Sequence, residues 1–295
     1  MSSDLVAAPL RSLLFVPGTR TDWLAKAEAA GADAAVLDLE DAVPPSGKAS
    51  ALRRVAEAVA GWTGRMALFV RVNPLDGWAA AGELRAIAHE RLAGVVLPKV
   101  GSPDEVRLAD RLLGWCERER GLPAGRIVLV PLLETASGLR EAYEVGRAAG
   151  RVAYLGAVTA PGGDVERAVG YRWSPSGTET LGLRSRVLLD VRAAGVPHPV
   201  SGLWTRIGDL DGLRAFAEQN RALGYEGMMA IHPSHVPVIN EVFSPTAEEL
   251  DRCARLVAAV EAAQASGTGA VRFEGEMVDE AMAATARLLL ARHGR

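Results

Sequence analysis

Cysteine is scarce, with two in 295 residues. Cys116 and Cys253 lie in helix-like segments without CxxC spacing, which excludes a disulfide framework or a thiolate metal site and suits a reducing cytoplasm. Long apolar runs are missing too. None approaches the roughly 20 residues that span a bilayer, and the opening MSSDLVAAPLRS lacks the basic patch and apolar stretch of an export signal. A soluble, cytoplasmic protein without a membrane partner is expected. Charge of one sign is also absent: 33 Lys and Arg stand against 36 Asp and Glu, a net charge of −3. Such a balance gives no electrostatic footprint for nucleic acid or an anionic membrane. Internal repeats and low-complexity tracts do not appear. A small-molecule enzyme is the class that remains. With 49% hydrophobic residues the chain can bury a large core, as one barrel or as two ordinary domains.

What the sequence does contain is a rhythm. Short runs rich in Val, Leu and Ile alternate with Ala/Leu/Arg/Glu segments of helical period, the pattern of βα units around a parallel sheet. The runs are 13–17, 34–39, 67–72, 94–98, 127–133, 152–156, 197–201 and 227–231, eight in all. Eight is the number of a (β/α)₈ TIM barrel, an α/β fold; a doubly wound open sheet is the structural alternative. Most runs end in polar or special residues: Gly18, Glu40 and Asp41, Asn73, Lys99, Glu134, and His232 with Pro233. Barrels carry their active sites at the C-terminal ends of their strands, so these residues are expected to converge on one mouth. The domain division expected is 1–243 for the barrel and 244–295 for a C-terminal helical arm. Ser244 or Thr246 caps the first arm helix, acidic residues favour its dipole, and a Gly-containing stretch leads to a last helix. The arm is too short for an enzyme domain and is expected to pack on the barrel or on a neighbouring subunit.

Glu134 follows a buried-looking strand, and Asp164 sits in the Gly-rich loop APGGDVERAVG after the next one. Two carboxylates on adjacent strand ends offer hard oxygen ligands to Mg²⁺ and leave positions for water and a chelating substrate; each alone also suits a helix cap. Arg71 lies inside an apolar strand. A buried guanidinium needs a carboxylate, either from a substrate acid or from Asp38, Glu40 or Asp41 on the neighbouring strand. Strand alternation places Asp38 and Glu40 on one face and separates Asp41 from them. Any of these acids can orient Arg71 or hold a metal-bound water, and Lys99 either reaches an anion or pairs with them. His232 beside Pro233 reads as positional. The Gly18, Thr19, Arg20 loop offers backbone donors and a cation for a phosphate.

With these residues in place, the chain resembles the citrate lyase β-subunit-like family of the HpcH/HpaI aldolase superfamily. The blocks that carry the likeness are RSLLFVPG at 11, AVLDLEDAV at 35, RVNP at 71, LPKV at 97, PLLETASG at 131, AIHPS at 230, NEVFSPT at 240 and GEMVD at 275. The resemblance implies a (β/α)₈ barrel, usually a homo-oligomer (trimer or hexamer), that makes or breaks a carbon–carbon bond next to a carbonyl. It implies Mg²⁺ as cofactor, Glu134 and Asp164 as its ligands, and Arg71 as the grip on a substrate carboxylate. Asp279 matches an acid that some members deliver from the neighbouring subunit, a catalytic acid or base whose structural alternative is a cap on the last helix. Glu40, Asp41 and Lys99 stand behind these. The implied substrate is a short β-hydroxy dicarboxylate, free or as its coenzyme A thioester of malyl, citramalyl or citryl type. Three departures are visible: Gly163 stands where relatives commonly have Glu, Arg206 where many have Asp, and Leu52 where many have Arg. A catalytically idle ligand- or partner-binding barrel, and an aldolase for free acids, are the alternatives.

Overall fold

The computed structural model describes residues 9–292; the N-terminal residues on which the export expectation largely rests lie outside them. Eight parallel strands close into a barrel: β1 Ser12–Pro17, β2 Ala34–Asp38, β3 Ala67–Arg71, β4 Leu92–Leu97, β5 Val128–Leu133, β6 Tyr154–Ala157, β7 His198–Ser201 and β8 Gly227–Ala230. Each is followed by at least one helix, from Leu24–Ala29 after β1 to His235–Val242 after β8. The chain order of strands is also their order around the barrel, and β8 pairs back onto β1 through Leu13↔Met229. The open-sheet alternative is thereby excluded.

The core follows the two-residue period of strands. One cluster of buried residues holds Leu13, Val36, Phe69, Val96, Val130, Leu132 and Met229. Their sequence neighbours Leu14, Leu37, Leu68, Val70, Val95, Leu97, Leu129 and Leu133 belong to the other. The first set fills the barrel and the second faces the helices, because successive side chains leave a strand on opposite sides. Burial on both faces is why the strands read as continuous apolar runs.

By contact density the chain divides into two compact units, through Phe243 and from Ser244. The second begins with the helix Ala247–Ala265. Thr246 caps it in a capping box with Glu249, and Glu248 and Glu249 stand in its first turn. The Gly-containing stretch after it is an antiparallel hairpin, β9 Ala270–Phe273 and β10 Glu276–Asp279, which leads into the helix Glu280–Arg292. Glu274 and Gly275 make the two-residue turn with φ of 48° and 91°, the primed geometry that matches strand twist. Leu256, Val260, Phe273, Val278, Ala283 and Ala286 form this unit's own small core. Among the described residues no helix is long and apolar enough to cross a membrane.

Candidate active site

Strand parity assembles the site. Asp38 shares the inward parity of Ala34 and Val36, Arg71 that of Phe69, and Glu134 that of Val130 and Leu132. All three therefore reach the C-terminal mouth of the barrel facing its axis. Arg71 is buried, and its fork meets Asp38 in two parallel bonds, Nε to Oδ1 at 2.8 Å and Nη2 to Oδ2 at 2.7 Å. Its Nη1 lies 3.0 Å from Glu40 Oε2 and 3.8 Å from Asp41 Oδ2. The Phe15 ring stacks beneath the guanidinium at 4.9 Å. Burial works to lower the pKa of Arg71, but Asp38, Glu40 and Glu134 more than offset it, and the net shift is upward.

The alternation expected to separate Asp41 from Asp38 and Glu40 does not hold. The strand ends at Asp38, whose carboxylate accepts from the backbone N–H of Glu40 (2.8 Å) and Ala42 (3.1 Å) and curls the chain into a turn. Outside the pleat, strand parity has no force, and Asp41 swings to the same side as Glu40. Lys99 bonds to both, to Glu40 and to Asp41 Oδ1 at 3.1 Å. Lys99 itself has the outward parity of Val95 and Leu97. A left-handed backbone, φ 51°, redirects it across the mouth, a conformation that costs a non-glycine residue energy and collects at functional sites. Burial raises the pKa of Glu40 despite Lys99 and Arg71. Asp41, although burial pushes the other way, is held down by Lys99.

Glu134 sits at the end of β5, 7% exposed, and its Oε1 has no hydrogen-bond donor among the described residues. Burial pushes its carboxyl pKa up to about 7; Arg71 pulls it down, and the charge of Asp164 pushes it further up. Asp164 is the first residue of the helix Asp164–Val169, beyond β6 on the neighbouring strand, and Arg167 one turn on pairs with it. Glu134, Asp164 and Arg71 thus share one electrostatic environment. A buried carboxylate oxygen without a donor, with a second carboxylate beside it, fits a hard divalent cation that keeps part of its water shell. Among the described residues no group of three or more His, Cys, Asp and Glu is arranged to hold a metal; Glu134 and Asp164 offer two carboxylates.

Several supporting residues carry no signal in the sequence. Lys48 donates to the carbonyls of Leu39 (2.6 Å) and Glu40 (2.6 Å) and to Asn73 Oδ1 (2.7 Å), so its ammonium straps the acidic turn to the end of β3. Buried Glu83 accepts from the Asn73 backbone and side chain at 2.8 and 2.5 Å. Lys48 holds carbonyls eight and nine residues back and Glu83 holds Asn73 ten back, each across a loop whose course no strand or helix period announces. The ETASG stretch has a local explanation: Thr135 caps the next helix by accepting from Gly138 N at 2.9 Å and donates to the Val100 carbonyl at 3.1 Å. A Cβ on Gly138 would collide with that same carbonyl. Gly18 is required similarly, since its Cβ would stand 2.6 Å from the Asp38 carbonyl oxygen.

Other expected residues have other partners. Asp279 is exposed at the end of β10 in the second unit, where it accepts from Ala281 N at 3.0 Å and Met282 N at 3.3 Å as a helix cap. Arg20, the cation suggested for a phosphate loop, pairs with Asp22 at 2.9 Å in an exposed ion pair and stacks on Trp23. His232 meets Ser234 Oγ at 2.7 Å within its own turn, the positional arrangement expected. Arg206 is exposed after β7 and lies over Trp204 at 5.9 Å, and Leu52 packs against the core.

Comparison with known proteins places this geometry. The family described as HpcH/HpaI aldolase/citrate lyase matches residues 11–233. A citrate lyase subunit beta-like protein of Deinococcus radiodurans is 40% identical over 292 residues, covering 96% of this chain and 97% of its own. A (3S)-malyl-CoA thioesterase of Cereibacter sphaeroides is 32% identical over 292 residues, covering 97% and 95%. The structure of CitE from Mycobacterium tuberculosis in complex with magnesium, acetoacetate and coenzyme A superposes with a TM-score of 0.74 at 27% identity, over 99% of this chain and all of that one. The chain belongs to the HpcH/HpaI aldolase/citrate lyase family, on its citrate lyase β-subunit-like branch.

Proposed function

We propose that this chain is a Mg²⁺-dependent carbon–carbon lyase for a short β-hydroxy dicarboxylate carried as its coenzyme A thioester, of malyl, citramalyl or citryl type. The observation that carries the proposal is Glu134, a buried carboxyl group with a donorless oxygen in the fields of Asp164 and Arg71 at the barrel mouth. Relatives named as a malyl-CoA thioesterase and an L-malyl-CoA/beta-methylmalyl-CoA lyase support the thioester, and a neighbour holding magnesium and oxaloacetate supports the ion and the acid.

Glu134 and Asp164 would hold the ion, which when bound supplies Lewis-acid polarisation of a carbonyl or hydroxyl oxygen. Arg71 enters the reaction already oriented. Two of its N–H groups are fixed on Asp38, so its plane is set before a substrate carboxylate arrives and little rotamer entropy remains to lose. The Arg71 Nη1, 3.0 Å from Glu40, is the donor a substrate carboxylate would share, and Lys99 competes with it for Glu40 and Asp41. A divalent cation on Glu134 and Asp164 would offset the repulsion that those two carboxylates otherwise offer an anionic substrate. Asp279 serves as acid or base from a neighbouring copy in a homo-oligomer.

Purified protein with Mg²⁺ should cleave at least one of malyl-, citramalyl- or citryl-CoA, and Glu134→Ala should abolish it. No cleavage, condensation or hydrolysis across the panel would overturn the assignment. Equal turnover of the free acids would make the protein an aldolase indifferent to coenzyme A. The pairing of Asp164 with Arg167 favours a second reading, a barrel that only binds. Mg²⁺-dependent oxaloacetate or pyruvate binding that needs Glu134 yet gives no turnover would select it.

A further inference from the structure

The opposite end of the barrel carries a second concentration of charge. Just ahead of the strands stand Arg11 before β1, Asp33 before β2, Arg65 before β3, Arg91 before β4, Arg126 before β5 and Arg151 before β6. The outer arginines are neutralised. Arg11 pairs with Asp33 at 2.7 Å, and Arg151 with Asp110 at 2.6 Å and Glu117 at 2.8 Å. The three between them, on adjacent strands, form no ion pair among the described residues. Arg65 and Arg91 are exposed, while half-buried Arg126 is pinned by two backbone carbonyls, Glu90 at 2.8 Å and Leu92 at 3.4 Å.

These three arginines line one cavity of about 660 Å³, a size that holds a small molecule. Trp62 and Leu122 form apolar wall, and the Trp62 indole N–H is already satisfied by the Met66 carbonyl at 3.0 Å, leaving the ring as a flat surface. Glu90 is the one acidic residue among the lining, and Glu28, which accepts from the Arg65 backbone N–H at 2.7 Å, stands at its edge; three arginines against two acids leave an excess of positive charge in a protein that is negative overall. Guanidinium groups lining a concave site are suited to bidentate contacts with carboxylate or phosphate oxygens, and Arg65 and Arg91, unlike Arg126, keep their donors for such contacts. We propose that this cavity is an anion-binding site, distinct from the barrel mouth, for a compact ligand with two or more negative charges on phosphate or carboxylate oxygens. It lies about 20 Å from the mouth, the length of the strand from Arg65 to Arg71, and can be filled while the mouth is occupied.

Calorimetry on the full chain, freed of divalent ions on a chelating resin, tests the site with pyrophosphate as the phosphate probe and citrate as the carboxylate probe. Saturable binding of one equivalent per chain is expected for at least one probe. It should weaken by about tenfold or more in Arg65→Gln/Arg91→Gln and fall steeply with added salt. No saturable binding of either probe, or equal affinity in the double variant, overturns the proposal. Hydrogen exchange on the unaltered chain tests the same site without relying on how the variant folds. Ligand-induced protection over 62–68 and 121–127 supports the site, and protection confined to the turns around Glu40 and Glu134 overturns it.

Discussion

At the scale of single residues, two titratable groups dominate. Glu134 has its folded-state pKa raised to about 7 from an ordinary value of 4.5, chiefly by burial. The folded state therefore binds more protons than the unfolded state between those values. In the metal-free protein, stability should fall as pH rises through that window and then level off above 7. Melting temperatures of the metal-free chain and of Glu134→Gln, measured from pH 4.5 to 8, should diverge accordingly, with the variant losing less. The same titration couples to metal. Mg²⁺ needs the carboxylate, so its affinity should rise with pH through about 7 and binding should release protons, readable as calorimetric heats that change with buffer ionisation enthalpy. Arg71 stays charged throughout this range. Arg71→Met leaves Asp38 buried without its cation and Glu40 with Lys99 alone, and should cost about 3 kcal/mol or more in urea unfolding. That Arg71 needs an acid is legible in the strand sequence. That it takes Asp38, Glu40 and Asp41 together is not, because the turn after Asp38 removes the parity on which a strand argument depends.

At the scale of elements, the eight strands are visible as apolar runs because burial on both faces leaves no polar alternation to obscure them. The hairpin β9–β10 is not visible. Its turn places Glu274, not Asn, Asp or Gly, at positive φ, and the conformation is supported by Arg252 and Arg255 of the preceding helix, at 2.9 and 2.5 Å from Glu274. The helix cap at Thr246 rests on local spacing. Thr246→Ala should destabilise the second unit by about 1 kcal/mol, seen as faster amide exchange in the first turn of the helix Ala247–Ala265. Close approach between elements is a harsher constraint. Gly138→Ala drives a methyl group into the Val100 carbonyl and should cost about 2 kcal/mol on thermal unfolding, with backbone movement next to Glu134. Lys48→Met breaks the strap between the acidic turn and β3, and is expected to lower metal-dependent turnover by about 10- to 100-fold.

At the scale of the whole molecule, barrel closure lies entirely within the first unit. Residues 1–243 produced alone should fold cooperatively by circular dichroism, since no barrel strand is lost. A chain that melts without cooperativity would show that the unit from Ser244 is needed to complete it. Asp279, a helix cap in its own chain, acts in catalysis only if it reaches a mouth. Mixing Glu134→Gln with Asp279→Ala chains tests whether it does so between copies: activity should return in the mixture if each mouth borrows its Asp279 from a neighbour. A mixture as inactive as its components would leave Asp279 with the capping role alone.

The α/β alternation, the eight apolar runs and the strand-end places of Arg71 and Glu134 are written in the sequence, because periodicity and burial are set residue by residue along each strand; closure into a barrel, and the place of Asp164 at a helix start beyond β6, are not. The tertiary structure alone decided which charges meet. Asp41 joins Glu40, Lys99 crosses the mouth on a left-handed backbone, Lys48 ties the acidic turn to Asn73, and three arginines from successive strand starts share a cavity. Those pairings depend on turns and on barrel closure, which bring together residues far apart in the chain and leave no local period to read.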